Sequence, residues 1–164
     1  MAKKPAFEAF YRANVKRIYA FVFFRVGSDK ALAEDLVQDI FMKAFEAYDR
    51  YDPERGISAW IYTIARNHVI NEMTKRRPGV PIEEIEDSIR VSTDAREREA
   101  LKDDERRLLA ALDRLDVEDA RLLRMKHLEG WSYDELADIF EKTPGTLRVQ
   151  ASRAMKKLKS LIKL

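Results

Sequence analysis

Trp131-Ser-Tyr-Asp-Glu-Leu-Ala-Asp-Ile-Phe-Glu-Lys-Thr-Pro-Gly-Thr-Leu-Arg-Val-Gln-Ala-Ser-Arg-Ala-Met-Lys-Lys-Leu-Lys159 has the layout of a helix-turn-helix. Ser132 and Glu135 form a capping box, in which a hydroxyl is followed three residues later by a carboxylate, so a helix is predicted to start there. Tyr133, Leu136, Ala137, Ile139 and Phe140 fit one face of it. Glu141-Lys142 is a short break. Thr143 then serves as N-cap, with Pro144 at the first helical position, where its missing N–H costs nothing. In the second helix Leu147, Ala151, Ala154, Leu158 and Leu161 recur at steps of four and three and face a core. From Thr143 to Leu164 there are six Lys/Arg and no acid. A capped helix with an apolar back and a basic front suits a major groove flanked by phosphates. A basic helix at the end of an all-helical protein is also often only a solvated face, so the motif alone leaves both readings open.

The rest of the composition narrows the class. The chain has 164 residues, 46% apolar and 37% charged, with five Gly and five Pro, which favours helices over a sandwich or barrel. There is no Cys, so disulfides, thiolate metal sites and Cys nucleophiles are excluded, and a cytoplasmic location is expected. No apolar run approaches a membrane span, and no signal segment follows Lys3 and Lys4. Net charge is only +2, but it is unevenly spread. Residues 1–77 hold 14 basic and 10 acidic side chains, residues 78–107 hold 6 and 10, and residues 108–164 hold 11 and 9. Two mildly basic blocks flank an acidic middle, unlike a protein that binds any DNA tightly.

The first block reads as packed helices. Phe7, Phe10, Tyr11, Val15, Ile18, Tyr19 and Val22 recur at three and four, and Gly27-Ser28-Asp29 ends that helix and caps the next. A second helix is predicted over about residues 30–48, with Leu32, Leu36, Ile40, Ala44 and Tyr48 on one face. Residues 51–57 read as a loop, and Ser58 is predicted to cap a third helix that Arg77-Pro78-Gly79 stops. Glu83, Glu84, Glu86, Asp87 and Asp94 make the following segment acidic. It reads as a flexible linker with a short helical piece near residues 82–89. Helix resumes from Ala95 to Leu115, and Asp116 caps another helix to Leu128. The fold class expected is all-α: two small helical domains, residues 1–78 and 105–164, joined by a linker over residues 79–104.

Three segments in this order resemble the bacterial extracytoplasmic-function sigma factors. Ala33-Glu-Asp-Leu-Val-Gln-Asp-Ile-Phe41 resembles the family's polymerase-binding helix. Ser58-Ala-Trp-Ile-Tyr-Thr-Ile-Ala-Arg-Asn-His-Val-Ile70 resembles its promoter-melting and −10-reading helix. Thr143-Pro-Gly-Thr-Leu-Arg148 and Ser152-Arg-Ala154 resemble its −35 recognition helix. The resemblance implies a subunit that binds core RNA polymerase, directs it to promoter DNA and answers to an anti-sigma factor, working as a monomer when free.

On this resemblance Asp35, Gln38, Asp39, Phe41 and Met42 are the expected polymerase contacts. Trp60, Tyr62, Arg66, Asn67, Asn71, Lys75 and Arg76 are the expected −10 contacts. Asn67 matches a position associated with a flipped-out base, and its amide can both donate and accept. Trp60 and Tyr62 could stack on splayed bases, although Trp60 reads more readily as core. Arg66, Lys75 and Arg76 suit phosphates. Thr143, Thr146, Arg148, Val149, Ser152, Arg153 and Lys156 are the expected −35 contacts, with Val149 an apolar side chain on the face meant for DNA. The acidic linker resembles the family segment that threads the polymerase's RNA path.

Other classes fare worse. His68 and His127 lie in different blocks without a ligand cluster, so no metal and no cofactor are expected. No Glu-x-x-His pair, Gly-rich phosphate loop or Ser-His-Asp set appears, so no catalysis is expected. The alternative is a stand-alone two-domain helix-turn-helix regulator, which would leave residues 1–77 without a DNA role.

Overall fold

The computed structural model describes residues 3–27, 29–51, 56–91 and 102–162. Among these there is no strand. The helices are α1 (Lys3–Arg25), α2 (Lys30–Ala47), α3 (Ile57–Arg76), α4 (Ile82–Val91), α5 (Asp103–Asp113), α6 (Val117–His127), α7 (Tyr133–Phe140) and α8 (Pro144–Ile162). A 3-10 turn, Tyr48–Arg50, follows α2. The sequence expected a helix from Ala95, but the one described begins at Asp103; Ala95, Asp94, Ser28 and residues 52–55 of the predicted loop lie outside the described residues.

Helices α1, α2 and α3 pack together around Ile18, Phe21, Val22, Leu36, Ile40, Ala44, Ile61 and Val69. The predicted Asp29 cap is formed, its side chain accepting from the Leu32 N–H at 3.0 Å. The predicted Ser58 cap is not. Helix α3 starts two residues earlier, with Gly56 in the N-cap position at φ 74°, ψ 135°. Ser58 lies inside the helix, where its hydroxyl donates to Glu135 Oε2 at 3.3 Å. The second block packs α5, α6, α7 and α8 around Leu112, Leu122, Met125, Leu136, Leu147, Ala151, Ala154 and Leu158.

The two blocks also pack on each other. Helix α7 lies against α3, and Trp131, just before α7, is fully buried. Its ring meets Tyr62 edge-on, with centroids 6.3 Å apart, while the Arg17 guanidinium lies 4.9 Å over it. Burial holds Arg17 below the ordinary arginine pKa. Arg17 pairs with Glu135, the same residue that closes the capping box of α7. Arg25 and Glu129 form an ion pair at 2.9 Å with side chains 2% and 0% exposed, and Arg25 also donates to the Phe21 carbonyl. Arg121 donates to the Tyr62 hydroxyl at 2.7 Å and covers the Phe140 ring. Gly56 runs so close to α7 that an added Cβ would fall 2.2 Å from Asp138 Oδ2.

Helix α4 is the short helical piece expected near residues 82–89, but it is docked on the fold instead of standing free in a flexible linker. Ile85 is fully buried, α4 packs on α3 and α6, and Glu86 lies 3.4 Å from Arg66. In its first turn only Ile85 docks, while Ile82, Glu83 and Glu84 are exposed.

Candidate nucleic-acid interface

The helix-turn-helix forms as its sequence dictates. The Glu135 N–H donates to Ser132 Oγ at 3.2 Å, and the Ser132 N–H donates to Glu135 Oε1 at 3.2 Å. Both ends of the predicted box are therefore closed. The break after α7 turns on Glu141 in the left-handed region, φ 54°, whose N–H bonds the Ala137 carbonyl. Thr143 Oγ1 then accepts from the Thr146 N–H at 3.2 Å, the expected N-cap of α8. Leu147, Ala151, Ala154 and Leu158 are buried beneath it.

This burial turns the other side of α8 outward. Thr143, Thr146, Arg148, Val149, Ser152, Arg153 and Lys156 are all exposed. Val149 is 51% exposed, a large apolar side chain in the middle of a polar basic face. Arg148 reaches over the Tyr133 ring at 5.4 Å, and Thr143 donates to the Thr146 hydroxyl at 2.8 Å. The sequence reading passed over Gln150 and Asp119, which join across the edge of this face at 2.9 Å. Their separation of 31 residues gives no periodic signal that could have paired them.

The α3 side is more divided. Asn67, Asn71 and Lys75 form an exposed stripe at steps of four, with Arg76 beside it. Arg76 pairs with Glu72 at 3.1 Å. Arg66 is half-buried beside Glu86. Trp60 is half-buried among Phe10, Tyr48 and Tyr51, with centroids 5.9, 6.2 and 5.4 Å away, which matches its reading as core. Tyr62 is 9% exposed, and its ring meets Phe21 and Trp131. In this arrangement the buried Tyr62 ring is enclosed between Phe21 and Trp131, and Trp60 is engaged by three neighbouring rings.

On the far side of the first block, α1 and α2 enclose an open groove of about 720 Å³. Asp35, Gln38, Phe41 and Met42 line it, together with Tyr11 and Phe45. Met42 is 59% exposed, whereas Phe41 is buried in the floor against Tyr11, 4.8 Å between centroids. Asp39 stands outside the groove. Its carboxylate lies 3.4 Å from His68 Nε2, while Lys43 Nζ approaches Nδ1 at 3.0 Å. Burial pushes the His68 pKa below the ordinary range, Lys43 adds to this, and Asp39 and Glu72 oppose it.

Comparison with known proteins agrees with this layout. The family described as Sigma-70 region 2 matches residues 10–78, and that described as Sigma-70, region 4 matches residues 105–158. The chain is similar to the RNA polymerase sigma factor CarQ of Myxococcus xanthus, 30% identical over 97% of this chain and 90% of the relative. It is also similar to the ECF RNA polymerase sigma factor EcfG of Rhodopseudomonas palustris, 29% identical over 79% of this chain and 71% of the relative. Among solved structures, the sigma factor RpoE bound to the anti-sigma factor NepR, from Bartonella quintana, superposes with a TM-score of 0.56 at 25% identity, over 97% of this chain and 98% of that one. CnrH bound to the cytosolic domain of CnrY shares the fold, with a TM-score of 0.57 at 21% identity, over 98% of this chain and 89% of that one. No described helix is long and apolar enough to cross a membrane. With both regions present in order, and a relative matched along nearly its whole length, the chain belongs to the extracytoplasmic-function RNA polymerase sigma factors.

Proposed function

We propose that the chain divides sigma-factor work among three surfaces. The α1–α2 groove and its rim, with Asp35, Gln38, Phe41, Met42 and neighbouring Asp39, bind core RNA polymerase. The α3 stripe of Asn67, Asn71, Lys75 and Arg76 handles the −10 element, with Arg66 on phosphate once Glu86 leaves it. Helix α8 reads the −35 element through Thr143, Thr146, Arg148, Val149, Ser152, Arg153 and Lys156. The observation that carries this reading is the capped, outward-facing α8, whose buried stripe leaves every one of those seven side chains in solvent.

The domain division places residues 1–78 and 105–164 in these separate roles, with residues 79–104 as connector. Tyr62 and Trp60 belong to the packed interior in the closed arrangement. Stacking of Tyr62 on a base would first require α7 and Trp131 to leave α3. The free chain acts as a monomer in the cytoplasm, with promoter DNA and core polymerase as partners. Two solved structures of similar proteins hold a further chain, one of them named an anti-sigma factor, and this supports an anti-sigma factor as the third partner.

Run-off transcription tests the proposal. Core polymerase plus this chain should yield promoter-dependent transcripts that neither component gives alone. Asp39→Arg should weaken core binding by about 2–5 kcal/mol while leaving helicity unchanged, as for a charged contact that loses its partner. Undiminished core affinity in that variant would remove Asp39 from the polymerase surface.

A further inference from the structure

The Gln150 amide is held at both ends by side chains that can bond in only one sense. Its Nε2 donates to Asp119 Oδ1 at 2.9 Å. Its Oε1 accepts from Lys142 Nζ at 3.1 Å. A carboxylate only accepts and an ammonium only donates, so the amide has one allowed orientation. Lys142 is itself steadied by Glu118, 3.7 Å away on the same helix as Asp119.

An amide carries two N–H donors and two oxygen lone pairs. One donor and one lone pair are engaged within the protein, which leaves one of each on the same planar group. Adenine offers the matching pair in the major groove, an acceptor at N7 and a donor at N6. The surroundings are open to such a base. Gln150 shares a depression of about 630 Å³ with Asp119, Gly145, Thr146, Val149 and Arg153. A Cβ added at Gly145 would meet nothing within 4 Å, so the start of α8 leaves the space clear. Exposed Val149 stands beside Gln150, and an apolar side chain there suits a thymine methyl.

We propose that Gln150 reads an adenine in the −35 element, with Asp119 and Lys142 as positioning residues that fix its amide for that contact. The inference rests on α8 being the −35 helix. It gives α6, which lies outside the helix-turn-helix, a part in promoter choice through Asp119. A clamp that only ties α6 to α8 would behave differently, because its loss would change stability without changing base preference.

The test uses holoenzyme assembled from core polymerase and the full chain. It selects from promoters randomised across the −35 element. The parent should favour adenine at one position by about tenfold, within the range of a bidentate contact. Gln150→Ala should flatten that position and leave the others unchanged. Asp119→Ala should flatten the same position, and adding it to Gln150→Ala should change nothing further. If Gln150→Ala returns the parent's preferences everywhere, or weakens all sequences alike, Gln150 is a strut and the inference is wrong while the −35 reading stands. If the parent itself shows no preference anywhere in the element, both fall. Far-UV circular dichroism of each variant separates unfolding from altered choice.

Discussion

The two helices proposed to read DNA sit in opposite circumstances. Helix α8 is pinned from behind by its own domain, and its reading face is wholly in solvent. Helix α3 is pinned from both sides. Its back joins α1 and α2, while its first two turns lie under α7 and Trp131. The difference follows from what each apolar set can bury. In α8 the apolar residues form one narrow stripe, so the opposite face has nothing to cover. In α3, Ile61, Ala65, Val69 and Met73 fill the first domain, and Tyr62 adds a second apolar direction, bridging Phe21 of the first domain and Trp131 of the other. A helix with two apolar directions becomes a junction, whereas one with a single stripe becomes a display surface.

The junction is also more polar than either core. Arg25, Glu129, Arg17, Glu135, Ser58 and Arg121 all bond across it. Trp131 Nε1 and Glu129 Oε2 are buried without a hydrogen-bond partner among the described residues. Such atoms carry a desolvation penalty of about 1–3 kcal/mol each. The contact is therefore sensitive to single changes in a way that the Leu147–Leu158 stripe is not. The largest effect is expected from Glu129→Ala, which leaves Arg25 charged and buried. Breaking a buried pair at one end typically costs about 3–5 kcal/mol. Denaturant unfolding followed by Trp131 fluorescence reports it. The double variant Arg25→Met with Glu129→Leu should recover most of the loss, since apolar replacement of both partners removes the stranded charge. A loss under about 1 kcal/mol in the single variant would mean that the domains stand apart in solution, and the contrast between α3 and α8 would disappear.

Gly56→Ala comes next. At φ 74° and ψ 135° the backbone lies where side chains are rarely tolerated, and holding alanine there costs about 1–3 kcal/mol. The new Cβ would also displace Asp138 across the junction. The two parts are separable. Asp138→Ala in the same chain should relieve the collision and leave the backbone part. If Gly56→Ala alone is neutral, α7 does not approach α3 as closely as described.

Legibility in the sequence follows the same divide. The helix-turn-helix was readable residue by residue because caps and stripes are local: Ser132 with Glu135, Thr143 with Thr146, and steps of three and four along α8. The stripe turns Val149, Ser152, Arg153 and Lys156 outward with Arg148 at their flank, whereas Thr143 and Thr146 come from the resemblance; all seven are exposed. Asn67, Asn71 and Lys75 are marked in the sequence by the resemblance alone, and their sharing of one exposed stripe is seen in the structure. The junction was not. Arg25 and Glu129 are 104 residues apart, and each reads alone as an ordinary charged surface residue. Tyr62 read as a stacking aromatic because nothing near it in the chain shows that Trp131 will cover it. Ser58 looked like a cap because its neighbours permit one, but its hydroxyl is drawn 77 residues along the chain to Glu135. The acids of α4 hid the docking role of Ile85.

On the open side the effects should be smaller and confined to α8. Thr143→Ala removes the hydroxyl that accepts from the Thr146 N–H, a loss of about 1 kcal/mol for an N-cap. Hydrogen exchange should quicken in the first turn of α8 and remain unchanged in α3. Protection lost in α3 as well would show that the two domains unfold as one unit.

The smallest effect, and the most diagnostic of a display surface, is expected from Lys156→Ala. Lys156 is exposed on the fourth turn of α8, in line with Ser152 and Arg153, and no buried contact among the described residues depends on it. The variant should fold as stably as the parent. If its ammonium meets a phosphate, its removal weakens −35 binding about equally for all sequences, because the phosphate carries no base identity. The dependence of log affinity on log salt should become shallower by about one unit, reflecting one fewer released counterion. An α3 variant tied into the junction cannot give so clean a result, since Arg66→Ala would also free Glu86 and disturb α4. Binding titrations of holoenzyme across a salt series measure both slopes. An unchanged slope for Lys156→Ala would place this side of α8 away from the DNA backbone and turn the reading face toward Arg148 and Val149.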